Sequence, residues 1–133
     1  MKTVLQPAAW PRPRGYANGV SAQGRQVFVA GMVGWNAEQR FESDDLVDQV
    51  RQALANVRAV LDEAGAAPEH IVRMTWYLVD RADYLARNRE IGAAYRDLMG
   101  HYDVAMSAVE VRGLMEERAK VEIEVTAVVP QAL

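Results

Sequence analysis

The run Val121-Glu122-Ile123-Glu124-Val125-Thr126-Ala127 alternates apolar and polar side chains, and two of the polar ones are carboxylates. On an extended chain every second side chain shares a face, so Lys120, Glu122, Glu124 and Thr126 stand on one side. Val121, Ile123, Val125 and Ala127 stand on the other. Two readings of the glutamates are open. They face solvent or ion-pair across strands, or they line a cleft between copies of the chain. In such a cleft a glutamate could hold or activate a water for attack on a carbon–nitrogen double bond, the ordinary work of a general base.

Other chemistry has few candidates. The chain has no cysteine, which removes thiol catalysis, disulfides and zinc–thiolate sites together. His70 and His101 are its two histidines, each at the edge of an element and without a second ligand at metal spacing, so both read as surface or turn residues. No phosphate loop, dinucleotide fingerprint, nucleophile elbow or zinc-helix motif occurs. Neither metal nor cofactor is expected. Trp10, Trp35, Trp76 and Tyr77 read first as core or interface packing groups. Tyr16 differs, because it follows Pro13-Arg14-Gly15 at the head of a strand, where an aromatic side chain stands at a rim.

The elements that must position these residues can be read in order. Pro7, Pro11 and Pro13 make Gln6 to Gly15 a semi-rigid arm. A short strand over Tyr16–Ser21, a turn at Gln23–Gln26 and an unbroken apolar strand Val27–Ala30 ended by Gly31 predict a hairpin, its second strand buried on both faces. Ser43-Asp44-Asp45 offers helix-capping and first-turn residues. Leu46, Val47, Val50, Leu54, Val57, Leu61 and Ala64 then form one stripe, closed by Gly65. Ile71–Val79 reads as a central strand. Tyr84, Leu85, Asn88, Ile91, Gly92, Tyr95, Leu98 and Met99 predict a second helix ending at Gly100, and Ala105–Val111 and Ala119–Val129 are the last two strands. The order is ββαβαββ: an α+β fold with one mixed sheet and two helices on one face. The other face carries apolar residues at many positions, which predicts further copies of the chain packed against it.

At 133 residues the chain suits a single domain, residues 1–133. Its net charge of −3, with basic residues scattered, offers no nucleic-acid footprint. No stretch has the length of a signal peptide's apolar core or of a membrane span, so a cytoplasmic protein with no membrane partner is expected.

Several strings together resemble the reactive-intermediate deaminase family, also called RidA or YjgF, whose fold is similar to chorismate mutase. They are Gly15-Tyr16-Ala17-Asn18-Gly19-Val20, Val27-Phe28-Val29-Ala30-Gly31, Gln49 to Ala66, Ile71 to Leu78, and Val109-Glu110-Val111 followed by Val121-Glu122-Ile123-Glu124. The resemblance spans nearly the whole chain. It implies a homotrimer built around a barrel-type core, ligand clefts between subunits, and cofactor-free hydrolysis of enamines or imines to a keto acid and ammonia. By position, Glu122 matches the family's water-positioning glutamate, Tyr16 its cleft tyrosine, Asn88 its helix asparagine and Gly31 its glycine after the second strand. Met106 and Ser107 fall on the cleft-lining strand.

The chain departs from that pattern at Met106. The family's deaminases read Pro-Ala-Arg-Ser here, with an arginine that grips the substrate carboxylate bidentately, whereas this chain reads Val104-Ala105-Met106-Ser107. Arg112 cannot substitute, since six residues along a strand is about 20 Å at roughly 3.3 Å each. The family's serine before Gly31 is also replaced, by Ala30. The resemblance therefore points to the arginine-lacking branch, and to an imine or enamine with an apolar part. The alternative it leaves is a trimer that binds or senses a small molecule without turnover.

Overall fold

The computed structural model describes residues 2–101 and 103–131. The elements run β1 (Lys2–Leu5), β2 (Gly19–Ala22), β3 (Arg25–Val33), α1 (Leu46–Glu63), β4 (Ile71–Leu78), α2 (Arg81–Ala86), α3 (Asn88–Met99), β5 (Ala105–Glu110) and β6 (Val121–Val129). Four strands form one mixed sheet in the order β3-β6-β4-β5. β4 and β5 are parallel because the helices cross between them, and the other pairs are antiparallel. The expected α+β architecture is present, with α1 and α3 on one face of the sheet.

Burial follows the two periodicities. Val121, Ile123, Val125 and Ala127 are buried along β6, and meet the α1 stripe of Leu46, Val47, Val50, Leu54, Val57 and Leu61. Asp45 caps α1 by accepting from the Asp48 amide. Ala64 closes the helix, and Gly65, at φ 66°, makes the left-handed exit that a side chain would resist.

Four local expectations need correction. The Tyr16–Ser21 and Val27–Ala30 segments do not form a hairpin: β2 pairs with β1 in a separate two-stranded sheet, and β3 pairs with β6. Val27, Val29 and Val33 bury their side chains with the apolar row of β6, whereas Gly-Val-Ser-Ala has little to bury. β3 is not buried on both faces, for Phe28 is 70% exposed between buried Val27 and Val29. Nor does Gly31 end it; the strand runs on to Val33 through an irregular register between Val29 and Met32. The second predicted helix is two. Arg87 (φ −105°, ψ 16°) separates α2 from α3, its guanidinium bonded to Asp45 Oδ1 at 2.8 Å and Glu90 Oε1 at 2.8 Å. A tertiary ion pair thus sets the helix break, and it also holds the Asp45 and Glu90 carboxyls below the usual carboxylate range.

Gln49 is the one buried polar side chain in the described core. Its amide donates to the Ser43 and Arg118 carbonyls, both at 3.0 Å, and its carbonyl accepts from the Lys120 amide at 2.7 Å. It thereby pins the start of β6, and with it Glu122, to the first turn of α1. Gln49→Leu leaves those three backbone groups unpaired and is expected to cost about 2–3 kcal/mol. Urea denaturation should show a lower midpoint with an unchanged slope; an unmoved midpoint would mean that water replaces the side chain. Among the described residues no helix is long and apolar enough to cross a membrane.

Candidate functional site

A cavity of about 570 Å³ opens between the N-terminal arm, α3 and the β5 edge of the sheet. Its rim begins at Gly15, whose φ of 79° turns the chain as a side chain would resist. Ala17 then donates to the Val104 carbonyl at 2.8 Å and bridges to Ala105, which ties the arm to the head of β5. Tyr16 stands at the rim, 42% exposed. Asn88, the first residue of α3, lines the same space, and so does Met106, whose strand neighbour is the fully buried Met74.

The inner wall is aromatic. Trp76 is 2% exposed, with the Tyr84 ring edge-on at 6.4 Å and the Tyr95 ring tilted at 6.5 Å between centroids. Burial pushes the Tyr95 hydroxyl up to about 12 and raises that of Tyr84, so both stay protonated across the neutral range. The Trp76 indole N–H is the one buried side-chain polar atom among the described residues without a hydrogen-bond partner. Trp76 was expected to be a packing group. It packs and lines the cavity at once, as do the Ile91 and Tyr95 positions of the helical stripe.

The opposite, open face of the sheet carries the carboxylates. β6 and β4 pair Glu122 with Tyr77 and Glu124 with Thr75, and β4 and β5 pair Thr75 with Ser107. The Tyr77 hydroxyl donates to Glu124 Oε1 at 2.6 Å, and that carboxylate raises the tyrosine's pKa. Glu122 lies over Gly31: a Cβ at position 31 would overlap Glu122 Oε2, so this close approach requires glycine. Phe28, Ala30, Arg73 and Thr126 border a smaller hollow of about 360 Å³ beside Glu124.

The six residues singled out from the sequence therefore fall into two sets. Tyr16, Asn88 and Met106 line one cavity on the helix side, while Glu122, Gly31 and Ser107 lie on the open face. Within one chain the sheet stands between the sets. Arg112 lies beyond β5 and outside the cavity lining, and Ala30 borders the hollow on the open face. His70 accepts the Ala67 amide at 2.9 Å in a tight turn, whereas His101 borders the cavity. Among the described residues no cluster of three or more histidine or acidic side chains could hold a metal ion.

Residues 8–129 match the family model described as Endoribonuclease L-PSP. A RutC family protein of Aquifex aeolicus is 34% identical over 96% of this chain and 99% of its own length. The 2-iminobutanoate/2-iminopropanoate deaminase of Salmonella typhimurium is 31% identical, over 85% of this chain and 86% of its own. Among solved structures, the Rid-family protein YyfB of Yersinia pestis, a protein of unknown function, superposes with a TM-score of 0.82 at 34% identity, covering 96% of this chain and 98% of that one.

Proposed function

This chain belongs to the endoribonuclease L-PSP family, the RidA/YjgF group, and on that premise we propose that it is a hydrolase of imines or enamines that carry an apolar arm. In this reading three copies assemble through their open sheet faces, so that Glu122 of one subunit meets the Tyr16–Met106 cavity of the next.

The observation that carries it is the split of the candidate residues between the two faces of one sheet. A second copy is the simplest means of bringing a carboxylate to the cavity, and the exposed Phe28 gives that face an apolar contact to bury. The name of the Salmonella typhimurium relative supports the reaction class.

The chemistry then follows from the groups present. Glu122 takes a proton from water as the water oxygen bonds to the imine carbon, the C=N electron pair moves to nitrogen, and the glutamic acid returns that proton to the nitrogen, which leaves a carbinolamine and a free carboxylate. The carboxylate then takes the carbinolamine's hydroxyl proton and passes it to the amino nitrogen, so that the C–N bond breaks, the C=O forms and ammonia leaves with Glu122 ionised again. Imine and water become ketone and ammonia without redox change or cofactor. Tyr16 and Asn88 orient the ligand, and Met106, unbranched and polarisable, packs against its apolar arm. Cleavage of RNA is a poorer fit, because phosphates would meet Glu122 and Glu124 on a chain of net charge −3.

Purified protein should accelerate ammonia release from 2-imino acids generated in situ by an amino-acid oxidase, more for aryl than for methyl side chains. It should also run as a trimer in light scattering. A monomer at micromolar concentration would defeat the assembly, and no acceleration with any imine or conjugated enamine would defeat the reaction. Met106 and Ala30 favour one other reading, a trimer that binds such a ligand without consuming it, and thermal stabilisation by an unconsumed ligand would be its mark.

A further inference from the structure

Two guanidiniums, those of Arg14 and Arg96, are exposed members of the cavity lining, and neither belongs to an ion pair among the described residues. Against these two cations the lining sets one carboxylate, that of Asp103, which also attracts the Lys2 ammonium as it donates to the Asp103 backbone carbonyl at 2.7 Å. The opening is therefore positive and the interior apolar, with Met106, Ile91 and the Trp76–Tyr84–Tyr95 wall below it.

Arg96 does not simply extend into solvent. Its Nη1 lies 3.3 Å from the position a Cβ would take at Gly92, one turn earlier on α3, so the guanidinium folds back along the helix over a residue that itself lines the cavity. Mid-helix glycine weakens a helix relative to alanine. Here it leaves room for a cation beside the opening.

We propose that Arg96, seconded by Arg14, is the carboxylate anchor of this cavity, and that the ligand is a carboxylate bearing a flat aromatic or conjugated arm. The arm lies inward against Met106 and the aromatic wall, and the carboxylate lies outward at α3. At about 570 Å³ the space has the volume of a drug-sized ligand site, roughly 300–1,000 Å³, and exceeds what a three- or four-carbon acid fills. A planar guanidinium suits a carboxylate bidentately, whereas a thioether such as Met106 offers it no donor. The inference rests on the functional reading above only in taking this cavity as the ligand's seat.

Calorimetric titration with three probes tests it: phenylacetate, phenylacetamide with the same arm and no charge, and acetate with the charge and no arm. Phenylacetate is expected to bind at least tenfold tighter than either of the others. Arg96→Gln should erase the preference for acid over amide while amide binding persists, and Arg96→Lys should restore it in part, because an ammonium cannot form the bidentate pair. Should the Arg96 variants disturb α3, Arg14→Gln is the second test, expected to reduce the same preference severalfold. Equal binding of acid and amide by the parent, an undiminished preference in Arg96→Gln, or no binding of either aryl probe overturns the proposal. Turnover does not enter these measurements. A preference for acid with no hydrolysis of any imine would reject the hydrolytic reading alone, and Glu122-dependent hydrolysis with acid and amide bound equally would reject the anchor alone.

Discussion

Glu122→Gln is expected to lower ammonia release by about 10²- to 10⁴-fold, the range for loss of a general base, while ligand binding stays within about threefold. The amide keeps the shape and one acceptor of the carboxylate but cannot take a proton from water. Its neighbour provides the comparison. Glu124 is one pleat away on the same face, yet its carboxylate already accepts the Tyr77 hydroxyl at 2.6 Å, and Glu124→Gln should change the rate far less. Gly31→Ala tests the same geometry from the other side, because its Cβ would overlap the Glu122 carboxylate and force it to move. The rate should fall with Glu122 still present. Steady-state rates with one aryl imine across the three variants decide the matter: a Glu122→Gln rate within twofold of the parent removes Glu122 from the chemistry, and equal losses for Glu122→Gln and Glu124→Gln would point to a general effect of charge on that face.

What the sequence made legible is what one element decides alone. The parity of β6 gave both the buried row at Val121, Ile123, Val125 and Ala127 and the outward carboxylates, and the spacing of Leu46 to Leu61 gave the inner face of α1. What it hid depends on partners distant in the chain. β1 and β2 find each other rather than β3, and Arg87 breaks a continuous helical pattern because Asp45, forty-two residues earlier, holds its guanidinium. The role of Gln49 was hidden because two of its three backbone partners, Arg118 and Lys120, stand 69 and 71 residues away and only the fold brings them to it. The site was hidden in the same way. Parity within β5 separates Met106 from Ser107, and parity within β6 separates Glu122 from Ile123. Only the register through β4, with Met74 beside Met106 and Tyr77 beside Glu122, shows that Met106 and Glu122 point to opposite sides. The resemblance named the residues and a cleft between subunits, but not which of the residues one chain holds on each face of its sheet.

Met106→Arg should reverse the ligand preference. An arginine here adds a bidentate carboxylate contact worth on the order of 1.5–3 kcal/mol, so a small 2-imino acid should gain roughly ten- to hundredfold in kcat/KM. An aryl imine should lose a comparable factor, because the thioether that packed against its arm becomes a cation beside Trp76. The free protein should be less stable, since Met106 packs against the core and an unliganded guanidinium must leave water there. Carboxylate ligands should then raise its melting temperature more than the parent's. Combining Met106→Arg with Arg96→Gln separates the two anchors: if both hold the same carboxylate at different depths, the double variant favours small acids more strongly than Met106→Arg alone, because the competing outward pose is gone. A Met106→Arg protein that loses activity on small and aryl imines alike would instead mean that the cavity has been rebuilt around the methionine, and that restoring one charge does not restore the site.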